Sequence, residues 1–286
     1  MAMGLDFGLQ TYSVRNTFQH DALGTLETIA EIGYKNLQLT RVSATAAGVT
    51  HVAGAMSAAE LKRHLDRLGL RVVSLHASVN EQTDWDRLLA FNQELGSSSI
   101  IVPIAFYTDR ASVLAYAETL NRYGEICRKQ GIDFQYHNHF QEFQVIGGHT
   151  IMDLLLEHTD TSLVKFELDT YWAARGGVDP VAWLRKLGNR CDIVHQKDIP
   201  TTAQPLNWFD HFGHDTHITL QMMYETQSPE QFTETGEGTM DLPALIATMR
   251  QTGVRYILIE QDASARTELE SIRVSYQNIV KLLATA

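Results

Sequence analysis

Imidazole and carboxylate side chains recur in this sequence directly after short apolar segments. These polar ends are Leu75-His76, Tyr136-His137-Asn138-His139, Glu167-Leu168-Asp169, His195-Gln196-Lys197-Asp198 and Glu260-Gln261-Asp262. Carboxylate oxygens combined with imidazole nitrogens, without thiolates, are ligands that Mn²⁺, Mg²⁺, Co²⁺ and Zn²⁺ accept in proteins. If the apolar segments are neighbouring strands, the sequence predicts a divalent metal ion where those strands end.

The strongest ligand candidates are Asp169, His195 and Glu260, because each lies where a predicted strand ends. Glu142, a few residues beyond the segment that ends at His139, is the candidate for the fourth ligand. Its alternative role is that of a solvated loop carboxylate.

Three residues are candidates for proton transfer. Glu260 is the predicted base, and His139 or His137 is its predicted partner across the substrate. The two histidines lie two residues apart on a predicted strand, so their side chains share a face. Either histidine could also bind the metal, bind substrate hydroxyl groups, or be hydrogen-bonded inside the barrel, and binding of substrate hydroxyl groups is favoured among these three.

Lys197 follows His195 by two residues, so both side chains point to the same side of a strand. Beside a metal, its ammonium group could stabilise a developing oxyanion. Its alternative role is that of a charge partner for Asp198 or Glu167. The residues predicted to bind the substrate are Gln10, Tyr12, His76, His137 and Trp172.

Eight apolar segments, separated by helical patterns, are predicted to position these side chains. They are Leu5–Tyr12, Asn36–Leu39, Arg71–Val79, Ser99–Ala105, Asp133–His139, Leu163–Asp169, Cys191–Lys197 and Tyr256–Glu260. Alternation of strands and helices predicts a parallel sheet, and eight units predict an α/β fold of the (β/α)8 TIM barrel type. An open doubly wound sheet is the alternative. In such a barrel the strand ends form the catalytic face.

The 286 residues contain no linker rich in Pro, Gly or Ser, so we expect a single domain over residues 1–286. The main irregularity is a long insertion at residues 200–237, after the seventh predicted strand. It is polar, aromatic and histidine-bearing. Long loops in compact domains are usually functional or disordered. We expect an ordered segment that covers the barrel mouth or contacts another subunit, which would make the protein a homo-oligomer.

Composition excludes several other classes of protein. There are 23 Lys and Arg against 34 Asp and Glu, a net charge of -11, which argues against binding the nucleic acid backbone. Two cysteines cannot form a disulfide framework and fit a reducing compartment. The chain shows neither a signal peptide at Met1–Asp6 nor 18 consecutive apolar residues. We therefore expect a cytoplasmic protein without membrane or nucleic acid partners.

The sequence resembles the xylose-isomerase-like barrel superfamily, which includes the sugar phosphate isomerases and epimerases. The resemblance covers almost the whole chain and rests on the following motifs: Phe7-Gly8-Leu9-Gln10-Thr11-Tyr12-Ser13-Val14-Arg15, Tyr136-His137-Asn138-His139-Phe140-Gln141-Glu142-Phe143, Glu167-Leu168-Asp169-Thr170-Tyr171-Trp172, His195-Gln196-Lys197-Asp198, Gly236-Glu237-Gly238 and Ile259-Glu260.

The resemblance implies a (β/α)8 barrel with a divalent metal held by two glutamates, an aspartate and a histidine. Asp169, His195 and Glu260 match three of those ligands. Ketose 3-epimerases of this superfamily carry a glutamate inside the fifth strand, where this chain reads Phe134-Gln135-Tyr136-His137. The nearest carboxylate is Glu142, and the departure weakens a two-glutamate epimerase mechanism.

The favoured hypothesis is a metal-dependent isomerase or epimerase that moves a proton next to a carbonyl of a small carbohydrate. The Tyr-His-Asn-His string is similar to a subgroup with inosose dehydratase-like and keto-glycoside-acting proteins, so a carbohydrate lyase is the alternative. A barrel that binds sugar without catalysis is a third hypothesis. A DNA-repair endonuclease of the same superfamily is disfavoured by the net charge.

Overall fold

A computed structural model describes residues 5–285 as a closed barrel of strands surrounded by helices. The strands are β1 (Asp6–Gln10), β2 (Asn36–Thr45), β3 (Gly48–Thr50), β4 (Arg71–Ala77), β5 (Ser99–Val102), β6 (Asp133–His137), β7 (Val145–Ile146), β8 (His149–Thr150), β9 (Lys165–Asp169), β10 (Ile193–Gln196) and β11 (Tyr256–Ile259). The β2–β3 and β7–β8 pairs are antiparallel hairpins that sequence reasoning did not predict.

The remaining pairings are parallel, in the order β1-β11-β10-β9-β6-β5-β4-β2, and β2 pairs with β1 to close the ring. This closure confirms the predicted (β/α)8 TIM barrel and rules out the open sheet. The predicted domain spans residues 1–286, of which residues 1–4 and 286 lie outside the described residues. Residues 1–4 also make up most of Met1–Asp6, the segment in which no signal peptide was expected.

Helices follow the strands around the outside of the barrel. They are α1 (Arg15–His20), α2 (Ala22–Ile32), α3 (Ala58–Leu68), α4 (Trp85–Leu95), α5 (Arg110–Arg128), α6 (Ile151–His158), α7 (Thr170–Arg175), α8 (Pro180–Leu187), α9 (Phe209–Phe212), α10 (Leu220–Glu225), α11 (Leu242–Thr252) and α12 (Glu268–Thr285). Within residues 5–285, none of them combines the length and the hydropathy needed to cross a bilayer.

Alternate residues of each barrel strand point to opposite sides, and this sorts the side chains into two sets. On β9, Phe166 and Leu168 pack in the core between strands and helices. Glu167 and Asp169, on the other side, contact side chains of several other barrel strands. A small apolar cluster separate from that core comprises Val73, Ile101, Ile193 and Leu258. The site is therefore built from side chains that face away from the main core.

Gly8 shows why β1 needs a glycine where the barrel closes. It pairs in register with Asn36 on one side and with Leu258 on the other. A Cβ atom at this position would lie 2.5 Å from the Asn36 carbonyl oxygen. A larger residue would therefore push β1 and β2 apart next to Gln10, at the end of β1 that leads to the site.

The insertion at residues 200–237 is ordered and contains α9 and α10. Arg175, at the end of α7, is fully buried and holds it in place. The guanidinium donates to the carbonyl oxygens of Pro205 (2.7 Å) and Leu206 (3.2 Å). It also lies over the ring of Trp208, 4.5 Å from the ring centre. The predicted cover over the barrel mouth is present, because Met223 and three other insertion residues line the cavity there.

Candidate active site

A cavity of about 290 Å³ opens at the carboxyl ends of the barrel strands. Its inner wall carries groups that can bind a metal, exchange protons or donate hydrogen bonds: Tyr12, His76, His137, His139, Glu260 and Asp262. Its outer wall carries apolar groups that include Pro103, Ile104, Leu220 and Met223. A few convergent polar groups in a partly apolar concavity are typical of small-molecule sites. We call this space the catalytic cavity.

Two carboxylates and two imidazoles converge at the base of the catalytic cavity. His137, Asp169, His195 and Glu260 are buried, and one donor atom from each lies within 4.8 Å of the others. His195 Nδ1 lies 2.9 Å from Glu260 Oε2, and His137 Nε2 lies 3.9 Å from Asp169 Oδ2. This donor set suits a divalent first-row metal or Mg²⁺. Three of the four predicted ligands are thus brought together, and His137 joins them.

Glu167 lies behind the two histidines of this group and sets their orientation. Its Oε1 atom is 3.0 Å from His137 Nδ1 and 3.0 Å from His195 Nε2. Burial raises the pKa of Glu167, but His195 and His76 outweigh that effect and hold it well below its ordinary value. An ionised carboxylate only accepts hydrogen bonds, so the two nitrogens that face it carry protons. The other nitrogen of each ring, Nε2 of His137 and Nδ1 of His195, then lies on the side of Asp169 and Glu260.

Many metal sites contain a carboxylate of this kind, which does not bind the metal but fixes the tautomer of a ligating histidine through the other ring nitrogen. His76 Nε2 also lies 2.6 Å from Glu167 Oε1, so the carboxylate contacts three imidazole rings. Those three rings and Glu167 form a second group with metal-ligand spacing. In that group, however, every ring already has a nitrogen within 3.0 Å of the central carboxylate oxygen. Sequence reasoning considered Glu167 only as a partner for Lys197.

Burial lowers the pKa of His195, but Glu167 and Glu260 outweigh that effect and raise it to about 10. The ring therefore carries both protons when no other cation is near. A divalent ion would take the place of the Nδ1 proton, because a ligating imidazole must be neutral.

Lys197 is fully buried beside two of the candidate ligands. Its Nζ contacts Asp169 Oδ2, lies 2.5 Å from Glu260 Oε2 and is 3.6 Å from Asp262 Oδ2. Burial lowers the pKa of the ammonium group, but these three carboxylates outweigh it and raise the pKa well above its ordinary value. Lys197 is therefore a fixed positive charge at the site.

The two partners considered for Lys197 from the sequence, Asp198 and Glu167, do not contact it within the described residues. Asp198 instead accepts hydrogen bonds from the backbone N–H groups of Gly236 (3.0 Å), Gly238 (3.1 Å) and Met240 (3.1 Å). Its role is to hold the segment that ends the insertion.

Two residues predicted to bind the substrate lie outside the lining of the catalytic cavity. Gln10 is buried below it, where its amide donates to Gln38 Oε1. Trp172 is also fully buried, with its ring centre 5.6 Å from that of His139. Tyr12, His76 and His137, predicted with them, do line the cavity. Gln38, which donates to Glu167 Oε2 at 2.5 Å, was missed because it lies in mid-strand.

The family model described as "Xylose isomerase-like TIM barrel" matches residues 26–276. The chain belongs to this family. An inosose dehydratase from Geobacillus kaustophilus (strain HTA426) is 28% identical over 144 residues, which cover 50% of this chain and 43% of that protein. The match thus spans less than half of the length of this curated relative.

Solved structures share the fold over almost the whole chain. A sugar phosphate isomerase/epimerase from Parabacteroides distasonis ATCC 8503 superposes with a TM-score of 0.77 and 26% identity, covering 96% of this chain and 93% of that one. A structure described as "IOLI protein with a binding zinc atom" has a TM-score of 0.71 at 12% identity, covering 98% and 99% of the two chains. At 12% identity, the similarity to this second structure shows only that the two chains share a fold.

His139 lines the catalytic cavity, and its imidazole ring is neutral. Burial, then the neighbouring His137 and Lys197, lower its pKa well below the ordinary value. Its Nδ1 atom is buried and has no hydrogen-bond partner among the described residues. A neutral imidazole with a free nitrogen can accept or relay a proton.

Glu142, predicted as the fourth ligand, does not join the ligand group that the structure assembles. It lies in a 3₁₀ turn, Gln141–Phe143, that directs its carboxylate back toward β6. There it accepts hydrogen bonds from Tyr136 Oη (2.6 Å) and from the backbone N–H of His139 (2.8 Å). Both oxygens are used in holding the strand end, and His137 occupies the fourth place in the group. Burial raises the pKa of Glu142 to about 7, although its hydrogen bonds lower it.

Replacing Glu142 with glutamine is expected to flatten the pH dependence of stability. The raised pKa means that the folded state binds the proton more tightly than the unfolded state does. The unfolding free energy therefore falls as pH rises from the ordinary value of 4.5 to about 7, by about 3 kcal/mol. Urea unfolding between about pH 5 and pH 8 should show a loss that is smaller by about this amount in Glu142→Gln than in the wild type, because Asp262 and His195 also have raised pKa values and keep their own contributions in the variant.

The matched control is Glu118→Gln, which changes an exposed glutamate on α5 and should keep the wild-type profile. Mn²⁺ affinity should also be unchanged in Glu142→Gln. A large loss of affinity would restore Glu142 as a ligand.

Proposed function

We propose that this protein is a divalent-metal-dependent isomerase or epimerase that moves a proton next to a carbonyl of a small carbohydrate. The observation that carries the proposal is the convergence of His137, Asp169, His195 and Glu260 at the base of the catalytic cavity. The position of this group at the carboxyl ends of barrel strands is where TIM-barrel enzymes carry out their chemistry.

The donor set fits a divalent cation. Two carboxylates and two imidazoles, all buried, offer one atom each within 4.8 Å. When bound, such an ion supplies Lewis-acid polarisation of a carbonyl and its α-hydroxyl, which lowers the cost of removing the α-proton. The fold neighbour that is described with a zinc atom is consistent with this assignment.

Glu260 is the proposed base. Burial raises its pKa, but Lys197 and His195 outweigh that and hold the pKa well below its ordinary value, so the carboxylate is ionised. Lys197 keeps it in place through the 2.5 Å contact to Oε2. Glu260 lines the cavity and can reach an α-proton of a substrate there.

His139 is the proposed second proton-transfer group. It lines the same cavity as Glu260, and its ring is neutral. Return of the proton to the other face of the same carbon requires a second group on that side, whereas a single base can carry it to the neighbouring carbon. The fixed charge of Lys197 would stabilise negative charge that develops on the substrate oxygen. The remaining substrate contacts are assigned to Tyr12, His76 and His137.

A carbohydrate lyase is the second candidate, and the curated relative named inosose dehydratase favours it. Dehydration begins with the same α-proton removal, and then expels a hydroxyl group from the next carbon. His139 or Lys197 would assist that departure by donating a hydrogen bond, and the proton that Glu260 has taken would leave with the hydroxyl group as water. The two candidates therefore share residues and differ in what happens after deprotonation.

One experiment separates them. The protein with Mn²⁺ is incubated in deuterated water with a panel of ketoses, inososes and 3-keto-glycosides, and the products are weighed by mass spectrometry. An isomerase or epimerase gives a product of substrate mass plus one deuterium, whereas a dehydratase gives a product that has lost water.

Removal of the metal with a chelator should abolish either reaction, and Mn²⁺ should restore it. If the protein binds no divalent metal and no substrate exchanges its α-proton, the proposal is wrong. A barrel that binds sugars without turning them over then becomes the better description.

A further inference from the structure

A second cavity, of about 510 Å³, lies beside the catalytic cavity at the same face of the barrel. Its walls come from the segment after β1, with Ser13 and Arg15, and from the segment after β11 with the start of α12, where Gln261, Asp262 and Ser271 lie. Small-molecule sites typically measure about 300–1,000 Å³, so this space is large enough for a ligand. We call it the rim cavity.

Two buried side chains that line the rim cavity have polar atoms without a hydrogen-bond partner among the residues that the structure describes. These atoms are both amide atoms of Gln261 and the Oγ atom of Ser271, whereas Asp262 Oδ2, which also has no hydrogen bond, lies 3.6 Å from the Lys197 ammonium group. Gln261 is 4% exposed and Ser271 is 1% exposed. Buried polar groups in folded proteins nearly always have a partner. Several such atoms around one cavity indicate that its contents supply the hydrogen bonds.

The unpartnered groups also indicate what kind of ligand this is. Arg15 is already used, because it donates to two backbone carbonyl oxygens at 2.8 Å each. Arg266 is paired with two glutamates, and Glu268 accepts hydrogen bonds from the start of α1 and from a threonine hydroxyl. Among the buried lining groups that are not already paired, what remains is an amide and a hydroxyl, each of which both donates and accepts. That capacity matches the hydroxyl groups of an uncharged polyol or sugar ring better than it matches an anion.

The rim cavity and the catalytic cavity are adjacent. Asp262 lines both. Tyr12 lines the catalytic cavity, and its ring is stacked against the guanidinium of Arg15, at 4.0 Å, on the side of the rim cavity. Likewise Glu260 lines the first cavity and the next residue, Gln261, lines the second.

We propose that the rim cavity binds the second unit of a two-unit carbohydrate whose first unit, the one that reacts, lies in the catalytic cavity. This inference rests on the proposed carbohydrate function, and it identifies the substrate as a glycoside with a hydroxyl-bearing second unit. Gln261 and Ser271 are the residues that would hold that unit, and Asp262 would contact both units.

The test compares one-unit and two-unit probes by isothermal titration calorimetry on the Mn²⁺-loaded protein. Glucose, fructose and galactose are the one-unit probes, and sucrose, maltose, lactose and trehalose are the two-unit probes. We expect at least one two-unit probe to bind about tenfold more tightly than its component sugars. Gln261→Leu and Ser271→Ala should each reduce that ratio by about fivefold, since each removes hydrogen bonds to the second unit.

Neither substitution breaks a side-chain hydrogen bond within the described residues, so both variants should unfold at the wild-type temperature or above it. The matched control is Ser275→Ala, which changes a buried serine on the same helix that does not line the rim cavity. It should keep the wild-type binding ratio.

The inference is wrong if no two-unit probe binds more tightly than its components at millimolar concentration, or if both variants keep the full ratio. In either case the rim cavity holds only water. These outcomes are distinct from failure of the proposed function, which is the absence of metal-dependent α-proton exchange. Exchange with free sugars but no preference for two-unit probes would overturn the inference alone.

Discussion

Glu260→Gln is expected to reduce solvent-deuterium exchange at the substrate α-carbon by about 10²–10⁴-fold. The amide that replaces the carboxylate has nearly the same shape but cannot accept the α-proton. Lys197 retains contacts to Asp169 and Asp262, so its buried charge stays compensated and the barrel should remain folded. Exchange is followed by proton nuclear magnetic resonance in deuterated water, with Mn²⁺ at saturating concentration so that weaker metal binding does not limit the rate.

Glu234→Gln is the matched control for this variant. Glu234 is also buried, but it is hydrogen-bonded to Ser264 and Arg266 and does not line the catalytic cavity. The control should exchange at the wild-type rate. Full exchange by Glu260→Gln at saturating metal would assign the base to another residue, and His139 would be the next to replace.

The order of the barrel elements was predictable because two periodicities are strong in this sequence. Each barrel strand includes a short apolar segment, and several helices carry apolar residues at helical spacing before a glycine, as at Ile29, Ile32 and Gly33. Closure of the ring could not be read from those patterns, because it depends on the pairing of β1 with β2 and β11. Eight strand–helix units favoured closure without proving it.

Three of the candidate ligands were predictable for a simple geometric reason. Asp169, His195 and Glu260 lie within one residue of the ends of their strands, and the ends of parallel strands in a barrel converge on one face. Glu167 was predictable by one further step, since residues two apart on a strand share a face. Asp169 was already predicted to point to the site. The side chain of Glu167, two residues earlier on the same face of the strand, therefore had to lie one layer deeper in the barrel.

Loop residues were less predictable, because strand periodicity ends where the loop begins. Glu142 follows the end of β6 by five residues, and a 3₁₀ turn decides where its carboxylate points. Trp172 lies in the first turn of α7, where a helical rotation rather than a strand pleat sets its direction. It packs against the ring of Phe232 in the insertion, a contact between distant segments that local patterns do not reveal.

Glu167→Gln is expected to weaken Mn²⁺ binding by about 10–100-fold, although Glu167 is not a proposed ligand. Glu167 Oε1 accepts hydrogen bonds from His76 and His137 and lies 3.0 Å from His195 Nε2, while Oε2 accepts one from Gln38. An amide presents one accepting oxygen and one donating NH₂ group, so either the rings lose their shared acceptor or the NH₂ group meets the donating amide of Gln38. Gln38 Oε1 in turn faces His195 Nε2, so both outcomes disturb the contacts that fix the histidine tautomers. A histidine that turns or changes its tautomer presents a protonated nitrogen to Asp169 and Glu260 in place of a free lone pair.

Metal affinity is measured by calorimetric titration with Mn²⁺, with Glu142→Gln as the matched control. Both residues are fully buried glutamates, but Glu142 contacts Tyr136 and the His139 backbone, and no imidazole of the ligand group. The comparison therefore separates loss of a buried carboxylate from loss of tautomer control. Wild-type affinity in Glu167→Gln would show that the histidines are oriented by other contacts, such as that between His195 and Gln38 at 2.7 Å. Equal losses in both variants would contradict this specific role of Glu167, because Glu142 contacts no imidazole of the ligand group.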